Sequence, residues 1–255
     1  MYSFEEVQRK FEEFTNLYNA NNYIVNAKKD HVYNVANNSV EIAKSLNLSK
    51  EDIMIAFLIG MLHDIGRFRQ IEKYNVLDDK CEMDHAEYGY KLLKDGLINQ
   101  FVDIREYDNL ILTAVRMHNK LHINSSLTSR EKLFCKIIRD ADKLDILKRL
   151  SDKNYTYDYE FDKTSNISKE VKELFFKNES IPYSAQNNKM DQVVTRLALV
   201  FDLNYKYTLE RIKNKKYIDL YVENLDLKGN NKLIIEDMKK HANDFLDSKI
   251  EEEKK

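Results

Sequence analysis

The sequence predicts a protein that is built almost entirely of α-helices. Among its 255 residues there are one proline and five glycines, the two residue types that most often interrupt helices. Lysine, glutamate, leucine and isoleucine are abundant. Apolar residues also recur three and four positions apart along most of the chain, which is the spacing of one helix face.

The first two predicted helices cover residues 4–18 and 30–46. In both segments the apolar side chains fall on one face of the helix. Asp30 can cap the second helix, because a carboxylate accepts hydrogen bonds from the free amides of a first turn. His31 is therefore expected in the first turn of that helix.

The third predicted helix begins after a cap at Ser49 and is apolar on most sides, so it should lie at the centre of the fold. Gly66 is expected to end it. His63 and Asp64, two adjacent residues that can bind metal, then lie in its last turn, where a buried helix opens towards a pocket. Residues 68–83 contain many polar residues and are predicted to be irregular.

The next two predicted helices each carry a histidine near one end. Asp84 has the position of an N-cap for a helix that ends at Gly96, so that His85 is its first residue. The second of these helices covers residues 104–119, with His118 near its C-terminal end.

An acidic cluster lies in the helix predicted over residues 129–147, which follows a capping-box pattern beginning at Thr128. Asp142 and Asp145 are three residues apart and can share a face of this helix. Asp140 points in another direction.

After residue 150 the sequence predicts a connection and then more helices. Residues 151–165 are poor in aliphatic side chains and are predicted to form a loop. Four helices are predicted over residues 168–177, 190–213, 217–225 and 231–250. We therefore expect a metal-binding helical core of residues 1–150 and a C-terminal helical extension of residues 151–255, packed on the core as one compact unit.

The composition disfavours membrane proteins and, more weakly, proteins that bind duplex nucleic acid, although it leaves room for a small local basic patch. The net charge is −2 and the charges are mixed, whereas binding to duplex nucleic acid usually needs a concentrated basic surface. The longest apolar stretch, residues 53–62, is too short to span a bilayer, and the first residues lack the pattern of a signal peptide. Cys81 and Cys135 form no disulfide framework, so a reducing, cytoplasmic setting is expected.

Four of the six histidines and two aspartates are candidate metal ligands. Histidine nitrogen together with aspartate oxygen suits Mn, Fe, Co, Ni or Zn ions and makes Mg less favourable. The one-ion set is His31, His63, Asp64 and Asp142. Adding His85 and His118 makes the set large enough for two ions that share Asp64, although these two histidines could instead bind substrate phosphate.

Such a centre can hydrolyse phosphate bonds, because a bound dication lowers the pKa of its water from about 15.7 towards about 7 and neutralises phosphate oxygens. Catalysis is assigned to Asp64 and Arg67. Arg67 and Lys143 lie next to the ligands in sequence and could bind substrate phosphate. The alternatives are a structural salt bridge for Arg67 and a solvated position for Lys143. Asp140 and Asp145 either orient histidine N–H groups or lie on the surface.

Three features follow one another in the sequence: His31, "LHDIGR" at residues 62–67 and "ADKL" at residues 141–144. This ordered series resembles the HD-domain superfamily of metal-dependent phosphohydrolases. The resemblance covers roughly residues 30–150, and it implies an all-α helical bundle core with additional C-terminal helices. Asp142, rather than Asp140, matches the last ligand of the family, because Lys-Leu follows it. "DHAEYG" and "MHN", which contain His85 and His118, resemble members with two metals or accessory histidines.

The family includes deoxynucleotide phosphohydrolases, alarmone hydrolases, cyclic-nucleotide phosphodiesterases and dinucleoside polyphosphate hydrolases, and the sequence marks of no single subfamily are present. The first hypothesis is therefore an enzyme in which metal-bound water or hydroxide attacks a phosphoester or phosphoanhydride of a nucleotide or related small phosphate compound. The alternative is a non-catalytic nucleotide-sensing or scaffold protein that keeps the fold and the metal. The intact ligand set favours the enzyme. The oligomeric state is left open, with a homodimer among the alternatives.

Overall fold

The computed structural model describes residues 3–75, 83–102, 105–154 and 163–252. Within these ranges the secondary structure consists of α-helices and short 3₁₀ turns without any β-strand, which confirms the predicted all-α class. The chain divides into two compact units, Met1–Asp142 and Lys143–Lys255. This division falls inside a helix, whereas the sequence placed it at residue 150, and the packing of the extension on the core stays a prediction.

The first unit contains most of the helices that carry candidate ligands. Within its described residues the helices are α1 (Phe4–Thr15), α2 (Tyr23–Ser45), α3 (Lys50–Leu62), α4 (Ile65–Tyr74), α5 (His85–Lys94), α6 (Asp108–Met117) and the first part of α7 (Ser129–Leu150). The predicted caps of three of them are formed: the Ser49 hydroxyl accepts the amide of Asp52 before α3, Asp84 accepts two amides at the start of α5, and Thr128 exchanges bonds with Glu131 before α7.

Helix α3 forms the centre of the first unit. Its residues 54–62 are all buried, and it packs against α1, α2 and α6. Gly60 permits the close approach of α2, because a Cβ atom at this position would lie 2.5 Å from Cα of Ala36. The helices that carry His31 and His63 are therefore held close together.

Helix α2 begins earlier than predicted. Its N-cap is Asn22, whose side-chain oxygen accepts the amide of Ile24 at 2.9 Å. Ile24 and Val25 are buried, so the apolar face continues towards the N-terminus beyond the predicted start. The predicted cap at Asp30 is wrong, and His31 lies in the interior of the helix.

Gly66 does not end α3, contrary to the prediction. Helix α3 ends at Leu62, and Gly66 is the second residue of α4. A Cβ atom on Gly66 would lie 2.2 Å from the carbonyl oxygen of His85, so the missing side chain is what allows α5 to approach α4. The irregular segment predicted for residues 68–83 is wrong for residues 68–74, which are helical, and residues 76–82 lie outside the described ranges.

The described helices of the second unit are the last part of α7, α8 (Lys169–Phe176), α9 (Lys189–Leu197), α10 (Lys206–Asn214), α11 (Tyr217–Asn224) and α12 (Gly229–Glu252). Helix α12 packs against α8, α9, α10 and α11. The single helix predicted over residues 190–213 is divided into α9 and α10 by a 3₁₀ turn at Ala198–Asp202. Four residues at this turn are buried in one core: Leu197, Ala198, Val200 and Leu203. One face of a straight helix would not hold all four, because adjacent residues of a helix point in different directions.

In the described part of the chain, no helix has both the length and the apolar character that crossing a bilayer requires.

Candidate metal centre

Six side chains from five segments meet in the first unit. His31 comes from α2, His63 follows the last residue of α3, Asp64 precedes α4, His85 opens α5, His118 follows α6 and Asp142 lies in α7. The four histidines and Asp64 are buried, and the side chain of Asp142 is 17% exposed. The structure thus brings together all six candidate ligands predicted from the sequence.

Asp64 lies at the centre of this cluster, and its two carboxylate oxygens face different histidines. Oδ2 is 3.2 Å from Nε2 of His63 and 3.5 Å from Nε2 of His31. Oδ1 is 3.3 Å from Nε2 of His85 and 3.7 Å from Nε2 of His118. This is the arrangement that a carboxylate needs in order to bridge two ions.

The potential ligand atoms form two overlapping groups. In the first group are His31, His63 and Asp142, and in the second are His63, Asp64 and His118, with the ligand atoms of each group within 4.8 Å of one another. Nε2 of His31 is 3.1 Å from Oδ1 of Asp142.

The rings of His63 and His118 are oriented by backbone carbonyls. Nδ1 of His63 is 2.7 Å from the carbonyl oxygen of Gly60, and Nδ1 of His118 is 2.6 Å from that of Val115. Since a carbonyl only accepts hydrogen bonds, each Nδ1 carries the proton and each Nε2 presents a lone pair to the cluster. These are the tautomers that can bind metal through Nε2.

Two buried polar atoms of the cluster are left unsatisfied. Nε2 of His63 and Oδ1 of Asp64 have no hydrogen-bond partner among the described residues. A buried polar atom without a partner costs about 1–3 kcal/mol. Coordination of a cation would satisfy both atoms, so the donor set fits a metal ion.

The spacing within the cluster also fits a metal ion. Nε2 of His85 is 3.0 Å from Nε2 of His118. The same distance allows a hydrogen bond between the two rings in the absence of metal. Both nitrogens thus face one another closely enough to be held by one ion.

The electrostatic surroundings keep the ligands in the protonation states that metal binding requires. Burial lowers the pKa of His63, against the opposing effect of the Asp64 charge. Burial would raise the pKa of Asp64, but the neighbouring ammonium group of Lys28 and the surrounding histidines together hold this pKa well below its usual range. The pKa of Asp142 is likewise lowered, because the contacts with His31 outweigh burial. His63 is thus neutral and both carboxylates are ionised at neutral pH.

Two positively charged side chains lie next to Asp64. Nζ of Lys28 lies 2.5 Å from Oδ2, and Nε of Arg67 lies 3.8 Å from Oδ1. Arg67, which the sequence suggested as a catalytic and phosphate-binding residue, also donates a hydrogen bond to Gln70 at 2.6 Å. The sequence interpretation missed Lys28. Its position three residues before His31 in a helix, and hence on the same face, is the signal that would have indicated it.

Lys143, which the sequence suggested as a phosphate-binding residue, is engaged elsewhere. Its Nζ lies 2.7 Å from Oδ2 of Asp202, and its side chain is 9% exposed, so it is not solvated. A buried ammonium that already neutralises a carboxylate is poorly suited to bind phosphate, and we leave Lys143 out of the proposed site.

Asp140 and Asp145 are both fully buried, which excludes the surface position considered for them. Asp145 accepts a hydrogen bond from Arg149 at 2.6 Å. The Nδ1 atoms of His63 and His118 contact carbonyls and not these carboxylates.

Residues 29–147 match the family model of the HD domain. The matched segment contains all six candidate ligands, and it confirms the resemblance seen in the sequence. Neither among the curated proteins nor among the solved structures was a match to the chain found.

Proposed function

We propose that this protein is a metal-dependent phosphohydrolase, because residues 29–147 match the family model of the HD domain. It would cleave a phosphoester or phosphoanhydride bond in a nucleotide or related small phosphate compound. Its proposed cofactor is one or two divalent ions of Mn, Fe, Co, Ni or Zn.

The observation that carries this proposal is the position of Asp64 between two pairs of histidines. Each of its oxygens lies within 3.7 Å of two Nε2 atoms. Without a metal ion, Nε2 of His63 and Oδ1 of Asp64 are left buried without a hydrogen-bond partner among the described residues, which is costly. Metal binding explains this arrangement best, because coordination would satisfy both atoms.

We assign the residues as follows. One ion would be held by His31, His63, Asp64 and Asp142, and a second by Asp64, His85 and His118. When bound, such ions supply activated water at neutral pH and neutralise phosphate oxygens.

Arg67 would bind the substrate phosphate. Its side chain is 13% exposed and stays beside Asp64. A guanidinium carries five N–H donors, so its contacts with Gln70 and Asp64 are compatible with additional bonds to phosphate oxygens.

The test is to strip the purified protein with a chelator, reload it with each metal separately, and measure bound metal and phosphate release. The substrate panel contains nucleoside mono- and triphosphates, cyclic nucleotides, dinucleoside polyphosphates and p-nitrophenyl phosphate. We expect metal-dependent turnover of at least one substrate, and the chelated protein is the matched control.

The alternative function, a nucleotide sensor or scaffold, predicts a different result in the same experiment. Metal and nucleotide would both bind, but no substrate of the panel would be turned over with any of the metals. That result would exclude the enzyme for these substrates. The complete ligand set favours turnover, because a degenerate sensor would be expected to lack one or more of the six ligands.

A further inference from the structure

Lys28 contacts the carboxylate oxygen that faces one of the two candidate ligand groups. Its Nζ is 2.5 Å from Oδ2 of Asp64, and its side chain is only 13% exposed. The same oxygen lies 3.2 Å from Nε2 of His63 and 3.5 Å from Nε2 of His31. An ammonium group therefore contacts an atom that we assign as a metal ligand.

In the absence of metal, the position of Lys28 beside Asp64 is explained by electrostatics. A buried carboxylate is costly unless a cation pairs with it. Asp64 and Asp142 supply two negative charges, and Lys28 and Arg67 supply two positive charges beside Asp64. The centre is thus balanced before any metal enters.

A dication bound to Asp64 would change this balance. Like charges only a few ångströms apart in a buried site repel each other strongly. The ammonium would therefore withdraw from Oδ2 when a dication binds. Lysine has a flexible stem with a compact charge at its end, so this movement needs no change in helix α2.

We propose that Lys28 is a displaceable counter-cation of Asp64 which becomes a phosphate-binding residue once metal is bound. This inference rests on the proposed function and adds a substrate-binding group to it. Without metal, Lys28 neutralises Asp64. With metal, the released ammonium binds an oxygen of the substrate phosphate, whose charge the loaded centre attracts.

The neighbouring residue Lys29 provides a matched control. Its Nζ lies 2.6 Å from Oε2 of Glu12, and its side chain is 20% exposed. Lys29→Met removes the same charge and a similar ion pair from the same helix. Glu12 is not one of the candidate ligands, so this variant should not affect metal binding.

The first experiment is calorimetric titration of chelator-treated protein with Mn²⁺. We expect Lys28→Met to bind Mn²⁺ about tenfold tighter than the wild type, because the competing ion pair is gone. Lys29→Met should bind as the wild type does. Lys28→Gln serves as a second neutral variant, and circular dichroism checks that each variant is folded.

The second experiment measures binding of inorganic phosphate to the Mn²⁺-saturated proteins. Lys28→Met should bind phosphate about tenfold or more weakly, because a hydrogen bond to a charged group is lost. Lys28→Arg, which keeps the charge, should retain most of the affinity. These opposite changes in metal and phosphate affinity distinguish the proposal from a purely structural role.

Weaker or equal Mn²⁺ binding in Lys28→Met would overturn the counter-cation role, and unchanged phosphate affinity would overturn the phosphate-binding role. Equal Mn²⁺ uptake in the wild type and in Lys28→Met overturns only this inference. If the wild type takes up neither Mn²⁺ nor any of the Fe, Co, Ni and Zn ions, the proposed function is wrong as well.

Discussion

Asp64 is the residue on which the candidate centre depends, since among the described residues its carboxylate oxygens lie within 3.7 Å of Nε2 of all four clustered histidines. It also contacts two cations, Lys28 and Arg67. Any change to this carboxylate therefore alters every part of the proposed site.

We predict that Asp64→Ala loses bound metal and all metal-dependent phosphate release. The metal affinity should fall by more than about 100-fold, which is the upper range for residues that only support ligands. Metal analysis of the purified variant and the phosphate-release assay check this prediction. His122→Ala is the control, because His122 is exposed and is not in the cluster. Full activity in Asp64→Ala would refute the assignment.

Cys135 is a residue with a structural role, and its chemistry should be that of a buried thiol. It is fully buried, and burial raises its pKa to about 12. Since the folded-state pKa lies above that of the unfolded chain, this thiol contributes stability that is present below about pH 8.5. That contribution is lost as the pH rises from there towards the folded-state pKa.

We therefore predict that Cys135 resists alkylation by iodoacetamide at pH 9 in the native protein and reacts readily in urea. The Cys81→Ser variant isolates this thiol, and mass spectrometry measures the extent of modification. Equal rates in the native and the unfolded protein would show that Cys135 is accessible.

At the scale of elements, glycines set the distances between the helices that carry ligands. Gly60 lies where α3 meets α2, and Gly66 lies where α4 meets α5. The second contact involves backbone atoms on both sides, since a Cβ on Gly66 would meet the carbonyl oxygen of His85 and the amide nitrogen of Gly89. A side chain at Gly66 would displace the backbone of His85 itself.

We predict that Gly66→Ala destabilises the protein by about 1–3 kcal/mol, the usual cost of overpacking, and weakens metal binding. Gly89→Ala is the milder comparison at the same contact, because its Cβ would lie 3.3 Å from the amide nitrogen of Gly66 instead of 2.2 Å from a carbonyl oxygen. That variant should lose clearly less stability than Gly66→Ala, since its neighbours need to shift by only a few tenths of an ångström and alanine adds up to about 1 kcal/mol of helix propensity. Urea unfolding and Mn²⁺ titration measure both effects, and equal stabilities would contradict the interpretation.

At the scale of the whole molecule, metal binding should be coupled to the stability of the first unit. Its described ligands come from α2, the α3–α4 junction, α5, α6 and α7, which lie far apart in sequence. An ion bound to them would link these elements directly, and it can bind in this way only when they are folded.

We predict that Mn²⁺ raises the unfolding temperature of the chelated protein. At a concentration about 100-fold above Kd the gain is about 2.7 kcal/mol, or roughly 2–4 °C for each kcal/mol in a chain of this size. Differential scanning calorimetry measures the shift, and Asp64→Ala should show none. An unfolding temperature that is independent of Mn²⁺ would argue against a metal centre.

Much of the fold was predictable because a helix is stabilised by interactions between residues that are close together in the sequence. The caps at Ser49, Asp84 and Thr128 were recognisable, since a cap and its partner amides lie within three residues of each other. Two predictions were wrong because they relied on local sequence alone. These are the start of α2 and the single helix over residues 190–213. Periodicity describes which residues are apolar, but the core decides where a helix starts and where it bends.

The sequence by itself determined the ligand types of the candidate centre and their order along the chain. His31, the His63–Asp64 pair and Asp142 stand out in a chain that has only six histidines. Their chemistry follows from residue type, which needs no coordinates.

Only the tertiary structure decided how these residues are paired and which neighbours join them. Lys28 and Asp64 are 36 residues apart, and nothing in the sequence requires their contact. The fold likewise paired Lys143 with Asp202 and buried Asp140 and Asp145. Charge pairing and burial depend on distances across packed helices, whereas sequence patterns report only neighbours along the chain.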